Sequence, residues 1–241
     1  MRRHWGRGEE GQLIICVIPS FNEESTIGEV VEGVKRHCDR VMVIDDGSTD
    51  GTPRIARLHG AEVVRHPFRI GVGGAISTGL EAAVRMGADA ILTIDGDGQH
   101  DPNEAPRLLG PISSGEADLV IGSRFLGDPS PMPIHKRIGN RAISALTSIA
   151  SGLRVTDSQS GYRAYSRAAA EVVRHSSFGY GWASESIILA ARRGFRVLEV
   201  PIRTIYHPKR RRGAGMVDGT KIAYDTLKRL PAKTRAKADG R

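Results

Sequence analysis

The chain has 241 residues, 39% of them hydrophobic, which suits one well-buried α/β domain and excludes wholesale disorder. Its formal net charge is +8 and its pI about 9.9, a basic excess that suits anionic partners: phosphorylated substrates, an acidic membrane face or nucleic acid. Cys16 and Cys38 are the two cysteines, so no disulfide framework or zinc site is expected, and a reducing, cytoplasmic setting fits. Residues 1–11 are charged but have no apolar centre, and read as a flexible N-terminus rather than a signal peptide. No apolar run approaches the roughly 20 residues that a spanning helix needs.

In chain order, Leu13 to Pro19 is a short apolar run that reads as a buried strand. Ile27, Val30, Val31 and Val34 follow at helical spacing, and Thr26 with Glu29 has the form of a capping box. Val41 to Ile44 predicts a strand, Thr52 to Leu58 a helix, Ala61 to Arg65 a strand and Gly74 to Met86 a helix. Ala90 to Ile94 reads as a strand, Asn103 to Leu109 as a short helix and Leu119 to Ser123 as a strand. Asp128 to Pro133 is a Pro-rich loop. A helix follows from about Ile138 to Ile149, with Ile138, Ala142, Ala145 and Ile149 on one face. Ser184 to Arg192 reads as a helix and Val197 to Ile202 as a late strand. Alternating strands and helices predict a mostly parallel sheet covered on both faces.

Ligands of such sheets bind beyond the carboxyl ends of the strands, and four predicted strand ends carry polar signatures. Asp95-Gly96-Asp97 places two carboxylates one residue apart, hard oxygen ligands suited to Mg²⁺ or Mn²⁺, with diphosphate oxygens completing the shell. Gln99 offers a carbonyl to the same ion. Asp45 to Thr52 reads as a turn into a helix, with carboxylates that can accept from base N–H and ribose hydroxyls. Gly71-Val72-Gly73-Gly74-Ala75 is not a dinucleotide fingerprint, because Ile76 stands where a glycine is needed; it reads as a tight helix start. Arg124, after Gly122-Ser123, has two open readings: a bidentate phosphate contact or a surface salt bridge.

Together and in this order, these segments resemble family 2 glycosyltransferases of the inverting GT-A type. They are Val17-Ile18-Pro19-Ser20-Phe21-Asn22-Glu23-Glu24, Ile44 to Thr52, Asp95 to His100, Gly122-Ser123-Arg124 and Asp157-Ser158-Gln159-Ser160-Gly161-Tyr162-Arg163. The nearest likeness is to dolichyl-phosphate mannose synthases and related polyprenyl-phosphate glycosyltransferases. The resemblance implies a GT-A, Rossmann-like α/β domain over residues 12–230, with a donor half to about 124 and an acceptor half after it. It implies that Pro19, Phe21, Glu23 and Asp46 hold the nucleoside, with Ile44 and Gly96 also in the donor site. It implies a metal set of Asp97, Gln99 and Asp95, and donor contacts from Asp95 and Arg124. Asp97, Arg124 and Asp157 form the expected catalytic group, and the segment around Asp157 lines the acceptor side. Arg210 matches a phosphate-gripping basic position, whereas Gly215-Met216 stands where these synthases have Ser-Lys.

The implied donor is GDP-mannose or a UDP-sugar, with mannose or glucose the expected sugar and N-acetylated sugars also fitting, and the implied acceptor is a polyprenyl or dolichyl phosphate. A lipid phosphate is already an anion and attacks the anomeric carbon without a base. A sugar hydroxyl, the alternative acceptor, needs one, for which Asp157 and Glu185 are candidates. The loop Pro131 to Arg141, with His135, Lys136, Arg137 and Arg141, reads either as a contact with an anionic membrane from its cytosolic side or as a solvated loop, and the amphipathic stretch Met216 to Leu230 as a helix packed on the core or a second such contact. Residues 231–241 read as a basic tail. Nucleic-acid binding is set aside, since aromatic residues are 5% and no recognised motif appears. A nucleotidyltransferase is set aside because Pro19 to Glu24 is acidic where a basic Gly-rich loop is needed.

Overall fold

In the computed structural model of this chain, β1 (Ile14–Ser20) runs through the middle of the sheet, and its side chains alternate between two cores. Cys16 and Ile18 join one, Ile15 and Val17 the other. The structure describes residues 11–127, 132–176 and 181–205. Expectations for residues 1–10, Asp128 to Pro131, Arg210, Gly215-Met216, Met216 to Leu230 and 231–241 lie outside those residues.

The described strands form a seven-stranded sheet of order β3-β2-β1-β4-β6-β5-β7. The other strands are β2 (Arg40–Asp45), β3 (Glu62–Arg65), β4 (Ala90–Thr93), β5 (Leu119–Ser123), β6 (Arg163–Ser166) and β7 (Val197–Pro201), and β1 lies between β2 and β4. All pairs are parallel except those made by β6, which lies antiparallel between β4 and β5. Helices α1 (Ile27–Val34), α2 (Thr52–Leu58) and α4 (Ala105–Ser113) contribute to the first core. Helices α3 (Val72–Arg85), α6 (Arg167–Val173) and α7 (Trp182–Arg192) contribute to the second. Each wholly buried Ile, Leu or Val contributes about 1.5–3 kcal/mol, so this double-sided burial dominates stability.

Most predicted elements are present, with shifted ends. The Thr26–Glu29 capping box is not: Thr26 is the N-cap of α1, but no side chain caps it, and its Oγ1 donates to the Glu23 carbonyl instead. β6 and α6 escaped prediction. The larger correction concerns α5 (Ile134–Ser151). It begins well before Ile138, so His135, Lys136, Arg137 and Arg141 lie on a helix rather than a loop. The apolar face read from its sequence points outward: Ile138 is 63% exposed and Ile149 54%, as is Ile134 at 68%, while Ile143, Ser144, Thr147 and Ala150 are buried. The reason is a hydroxyl seam. Thr147 Oγ1 lies 2.9 Å from Ser184 Oγ on α7, and Ser144 Oγ 3.2 Å from Ser158 Oγ.

Helix α3 lies tight on the sheet because position 79 has no side chain. A Cβ at Gly79 would clash with Val17 and come within 3.1 Å of Ile44 Cγ1. Gly79→Ala is therefore expected to lower the unfolding free energy by about 1–3 kcal/mol, despite alanine's higher helix propensity. Urea denaturation reads this; unchanged stability would show that α3 can lift without loss.

Candidate active site

The parallel arrangement brings the carboxyl ends of β1, β2, β4 and β5 to one edge of the sheet. The loops after β1 and β2 are laced together there. Asn22 N–H donates to Ser48 Oγ at 2.9 Å, Thr49 N–H to Asn22 Oδ1 at 2.8 Å, and Glu23 N–H to Thr52 Oγ1 at 2.7 Å. Asn22 takes a left-handed φ of 55° to do this, a conformation that asparagine tolerates better than most residues.

Among the expected nucleoside residues, Phe21 carries the Arg69 guanidinium 4.3 Å above its ring. Pro19 is in strand register with Ile44. Ile44 itself is a core residue, wholly buried beneath α3, so its side chain does not reach a donor. Asp46 also departs from expectation. Its carboxylate faces inward and accepts from His66 Nδ1 at 2.9 Å, Ile70 N–H at 2.9 Å and Gly71 N–H at 2.8 Å. It pins the segment leading into α3, and base recognition by Asp46 would have to displace these bonds. Asp45 is likewise internal, ion-paired with Arg65 at 3.1 Å.

Beyond β4, the carboxylates of Asp95 and Asp97 are the hard donor set. Gly98 turns the chain at a φ of 72°, which lets Gln99 fold back on Asp97. Gln99 N–H and Nε2 donate to the two Asp97 oxygens at 3.0 and 2.7 Å. In this placement Gln99 orients Asp97 rather than joining it; a shared cation requires its amide to turn and present oxygen. Two carboxylates and an amide oxygen fit Mg²⁺ or Mn²⁺ if diphosphate oxygens complete the shell. Among the described residues there is no cluster of three or more His, Cys, Asp or Glu that could hold an ion alone. Gly96 serves close approach, since a Cβ there would lie 2.5 Å from Ser20 Oγ.

Asp95 is about one-third exposed, side-chain accessibility 34%, and packs on Gly161, where a Cβ would meet its Oδ1 at 2.5 Å. Buried His100 reaches it at 3.4 Å and leans on the Tyr162 ring with centroids 5.3 Å apart. Burial pushes the Asp95 carboxyl up, but His100, Arg124 and Arg163 outweigh it and hold the group below the ordinary carboxylate range. Asp95 is therefore an anion at neutral pH.

Arg124 is neither a free phosphate clamp nor a surface salt bridge. Its backbone N–H, Nε and Nη2 donate to Asp157 at 3.0, 2.7 and 2.8 Å. Asp157 is wholly buried. Burial raises its carboxyl, and the Arg124 charge and hydrogen bonds overcome this to set it below the ordinary range. A carboxylate so held is a poor proton acceptor, against its expected role as a base. Burial works against the Arg124 charge, but Asp157, then Asp95 and Asp97, keep that charge fixed. Glu185, the other candidate base, is buried in the first turn of α7.

Several supporting residues gave little sequence signal. Glu199 accepts from Thr156 and Asp157 N–H at 2.8 and 2.9 Å; an acidic residue inside an apolar strand was its one clue. Arg163 is wholly buried, donates to the Ser158 and Ser160 carbonyls and to Ser186 Oγ, and stacks 5.1 Å from Trp182. It supports the segment from Asp157 to Tyr162 from behind.

Residues 15–174 match glycosyl transferase family 2. The chain is 36% identical over 239 residues to the UDP-N-acetylglucosamine–dolichyl-phosphate N-acetylglucosaminyltransferase of Methanococcus voltae, covering 90% of this chain and 95% of that one. It is 36% identical to the undecaprenyl-phosphate mannosyltransferase of Micrococcus luteus, covering 78% and 82%. Among solved structures, glucosyl-3-phosphoglycerate synthase of Mycobacterium tuberculosis, crystallised with Mn²⁺, UDP and glucosyl-3-phosphoglycerate, superposes with a TM-score of 0.73 at 25% identity, covering 96% and 87%.

The buried pair yields a pH test. Asp157→Asn is expected to cost about 3–5 kcal/mol at neutral pH, since it leaves the Arg124 charge uncompensated. The Asp157 pKa is lower in the folded chain than its unfolded value of about 3.9, so its stabilisation is complete above that pH. It is lost as pH falls through the folded value. The deficit of the variant should thus narrow below about pH 4 in denaturant unfolding. A deficit independent of pH would mean that packing, not charge, was removed.

Proposed function

The chain belongs to glycosyl transferase family 2, and from that we propose that it moves a sugar from a nucleotide-sugar donor to a polyprenyl phosphate of the dolichyl type, inverting the anomeric carbon. The observation that carries this reading is the Arg124–Asp157 pair. It presents a fixed cation while its carboxylate is already committed, an arrangement suited to an anionic acceptor that needs no base. The activities named for the Methanococcus voltae and Micrococcus luteus relatives support it.

In this reading a lipid phosphate oxygen attacks C1 of the sugar, the bond from C1 to the diphosphate oxygen breaks, and a nucleoside diphosphate leaves. Asp97, Asp95 and a turned Gln99 would hold Mg²⁺ or Mn²⁺, which supplies positive charge against the departing diphosphate. Arg124 adds preorganised positive charge, and Asp157 is a positioning residue for it. Phe21, Pro19 and Glu23 flank the nucleoside. Arg210 is proposed to grip phosphate from beyond the described residues.

No helix among the described residues is long and apolar enough to cross a membrane. The proposed route to a lipid acceptor is α5, whose exposed Ile134 and Ile138 adjoin His135, Lys136, Arg137 and Arg141. The Arg141 guanidinium lies 5.6 Å over the Phe125 ring, next to Arg124, so this face adjoins the crevice.

Incubation with nucleotide sugars, Mn²⁺ and polyprenyl phosphate is expected to place label in organic-extractable lipid; transfer to soluble phosphoglycerate alone would overturn the acceptor assignment. Asp97→Ala should weaken Mn²⁺-dependent binding of nucleoside diphosphate by at least about tenfold in calorimetry. Unchanged affinity would remove the metal assignment.

Vesicle co-sedimentation reads the surface. Basic residues contribute about 1 kcal/mol each near anionic lipid, so binding should be reversible, lost at high salt and absent on neutral vesicles. Ile134→Ser with Ile138→Ser should weaken it further. Full binding by this double variant would show that α5 is not the contact.

A further inference from the structure

Helix α5 touches both partners of the Arg124–Asp157 pair through their chain neighbours. On the Asp157 side, Ser158 N–H donates to Ser144 Oγ at 2.9 Å, and Ser144 Oγ lies 3.2 Å from Ser158 Oγ. One turn on, Val155 N–H donates to Ser148 Oγ at 3.0 Å, and Ser148 Oγ lies 3.1 Å from the Val155 carbonyl oxygen. Two α5 hydroxyls thus hold the backbone on either side of Asp157. On the Arg124 side, the Arg141 guanidinium lies over the ring of Phe125, the next residue in the chain. Ser123 Oγ joins the two sides, bonded to Phe125 N–H at 3.2 Å and to Thr156 Oγ1 at 2.7 Å.

The helix has two parts. Ile143, Ser144, Thr147 and Ala150 are buried, so the later turns are pinned to the domain. From Ile134 to Ala142 no residue is buried. These earlier turns project, with Ile134 about 15 Å along the axis from Ser144 at the helical rise. They carry exposed Ile134 and Ile138 with Lys136, Arg137 and Arg141, and so complement an anionic lipid surface rather than a neutral one. The two parts are one continuous helix, and a tilt of the projecting turns is felt at the pinned ones. Hydrogen bonds weaken steeply with misalignment, so the grip of Ser144 and Ser148 on the chain around Asp157 depends on how α5 sits. We propose that α5 positions the Arg124–Asp157 pair, with Ser144 and Ser148 as positioning residues, and that anchoring its projecting turns on anionic lipid keeps the pair in place. Turnover is then confined to the surface that holds the acceptor. This rests on the reading of α5 as the lipid contact and deepens it from a docking surface to a control on the site.

The test uses the full chain, Mn²⁺, a short polyprenyl phosphate that dissolves in water, and whichever of UDP-N-acetylglucosamine, UDP-glucose and GDP-mannose is transferred. Vesicles of phosphatidylglycerol should raise kcat about fivefold or more with donor KM unchanged, and vesicles of phosphatidylcholine should not. Ser144→Ala with Ser148→Ala should co-sediment with phosphatidylglycerol as the parent does, yet lose the stimulation. A purely structural seam would lower the rate with and without vesicles alike, so stimulation that survives in this variant would overturn the proposal. Binding without stimulation of the parent overturns it alone, while no binding overturns the lipid contact with it. A second readout needs no transfer. Trp5→Phe leaves Trp182 as the sole tryptophan, 5.1 Å from the Arg163 guanidinium that donates to the Ser158 and Ser160 carbonyls. Phosphatidylglycerol should shift its emission, and removal of the Ser144 and Ser148 hydroxyls should abolish that shift. If no lipid phosphate is glycosylated, the acceptor reading falls, and an unmoved emission would overturn this proposal as well.

Discussion

The ion pair between Arg124 and Asp157 joins stretches of chain that lie far apart in sequence. Arg124 directly follows β5, and Asp157 opens the segment that leads into β6. Glu199 on β7 holds the Asp157 backbone from the far side. Removing two charges from water is expensive, and a buried pair stabilises only when its geometry and remaining hydrogen bonds are good. Here both conditions are met: the guanidinium is bidentate, and a third bond comes from the Arg124 backbone. The result is a guanidinium that need not reorganise when negative charge develops in front of it, the property that makes an electrostatic site effective.

The same arrangement explains why β6 runs against the other strands. An antiparallel strand between β4 and β5 delivers the residues just before it, 157 to 162, to the edge where its parallel neighbours end. That insertion brings Gly161 onto Asp95 and Arg163 behind Trp182. A parallel strand in that position would deliver its preceding loop to the opposite edge.

Much of this was legible in the sequence, but unevenly. The apolar runs of β1, β2, β4 and β5 and the helical spacing of α1 are strong signals because burial on both faces or along one stripe leaves a clear period. The polar strand ends were legible for the same reason: carboxylates directly after an apolar run stand out. β6 was not, because the four residues Arg163 to Ser166 hold a buried arginine and a tyrosine rather than an apolar run. Nor could periodicity show that Asp46 faces inward. Its partners include the backbone N–H groups of Ile70 and Gly71, which have no side-chain signature.

Helix α5 misled the reading for a reason that bears on function. A 3.6-residue apolar stripe is ordinarily a core face, and Ile138 and Ile149 lie on such a stripe. The inward face instead uses serine and threonine hydroxyls, each bonded to a partner across the seam or to the helix's own carbonyls. Satisfied hydroxyls can replace apolar packing between helices, but nothing in folding asks the isoleucines to point outward. Exposed isoleucines on successive turns, interleaved with Lys136, Arg137 and Arg141, with Arg141 over the Phe125 ring, are an amphipathic surface without an intramolecular use among the described residues. The proposed acceptor, with a phosphate head and an isoprenoid tail, would supply one: the head would lie before the Arg124 charge while α5 met the layer that holds the tail.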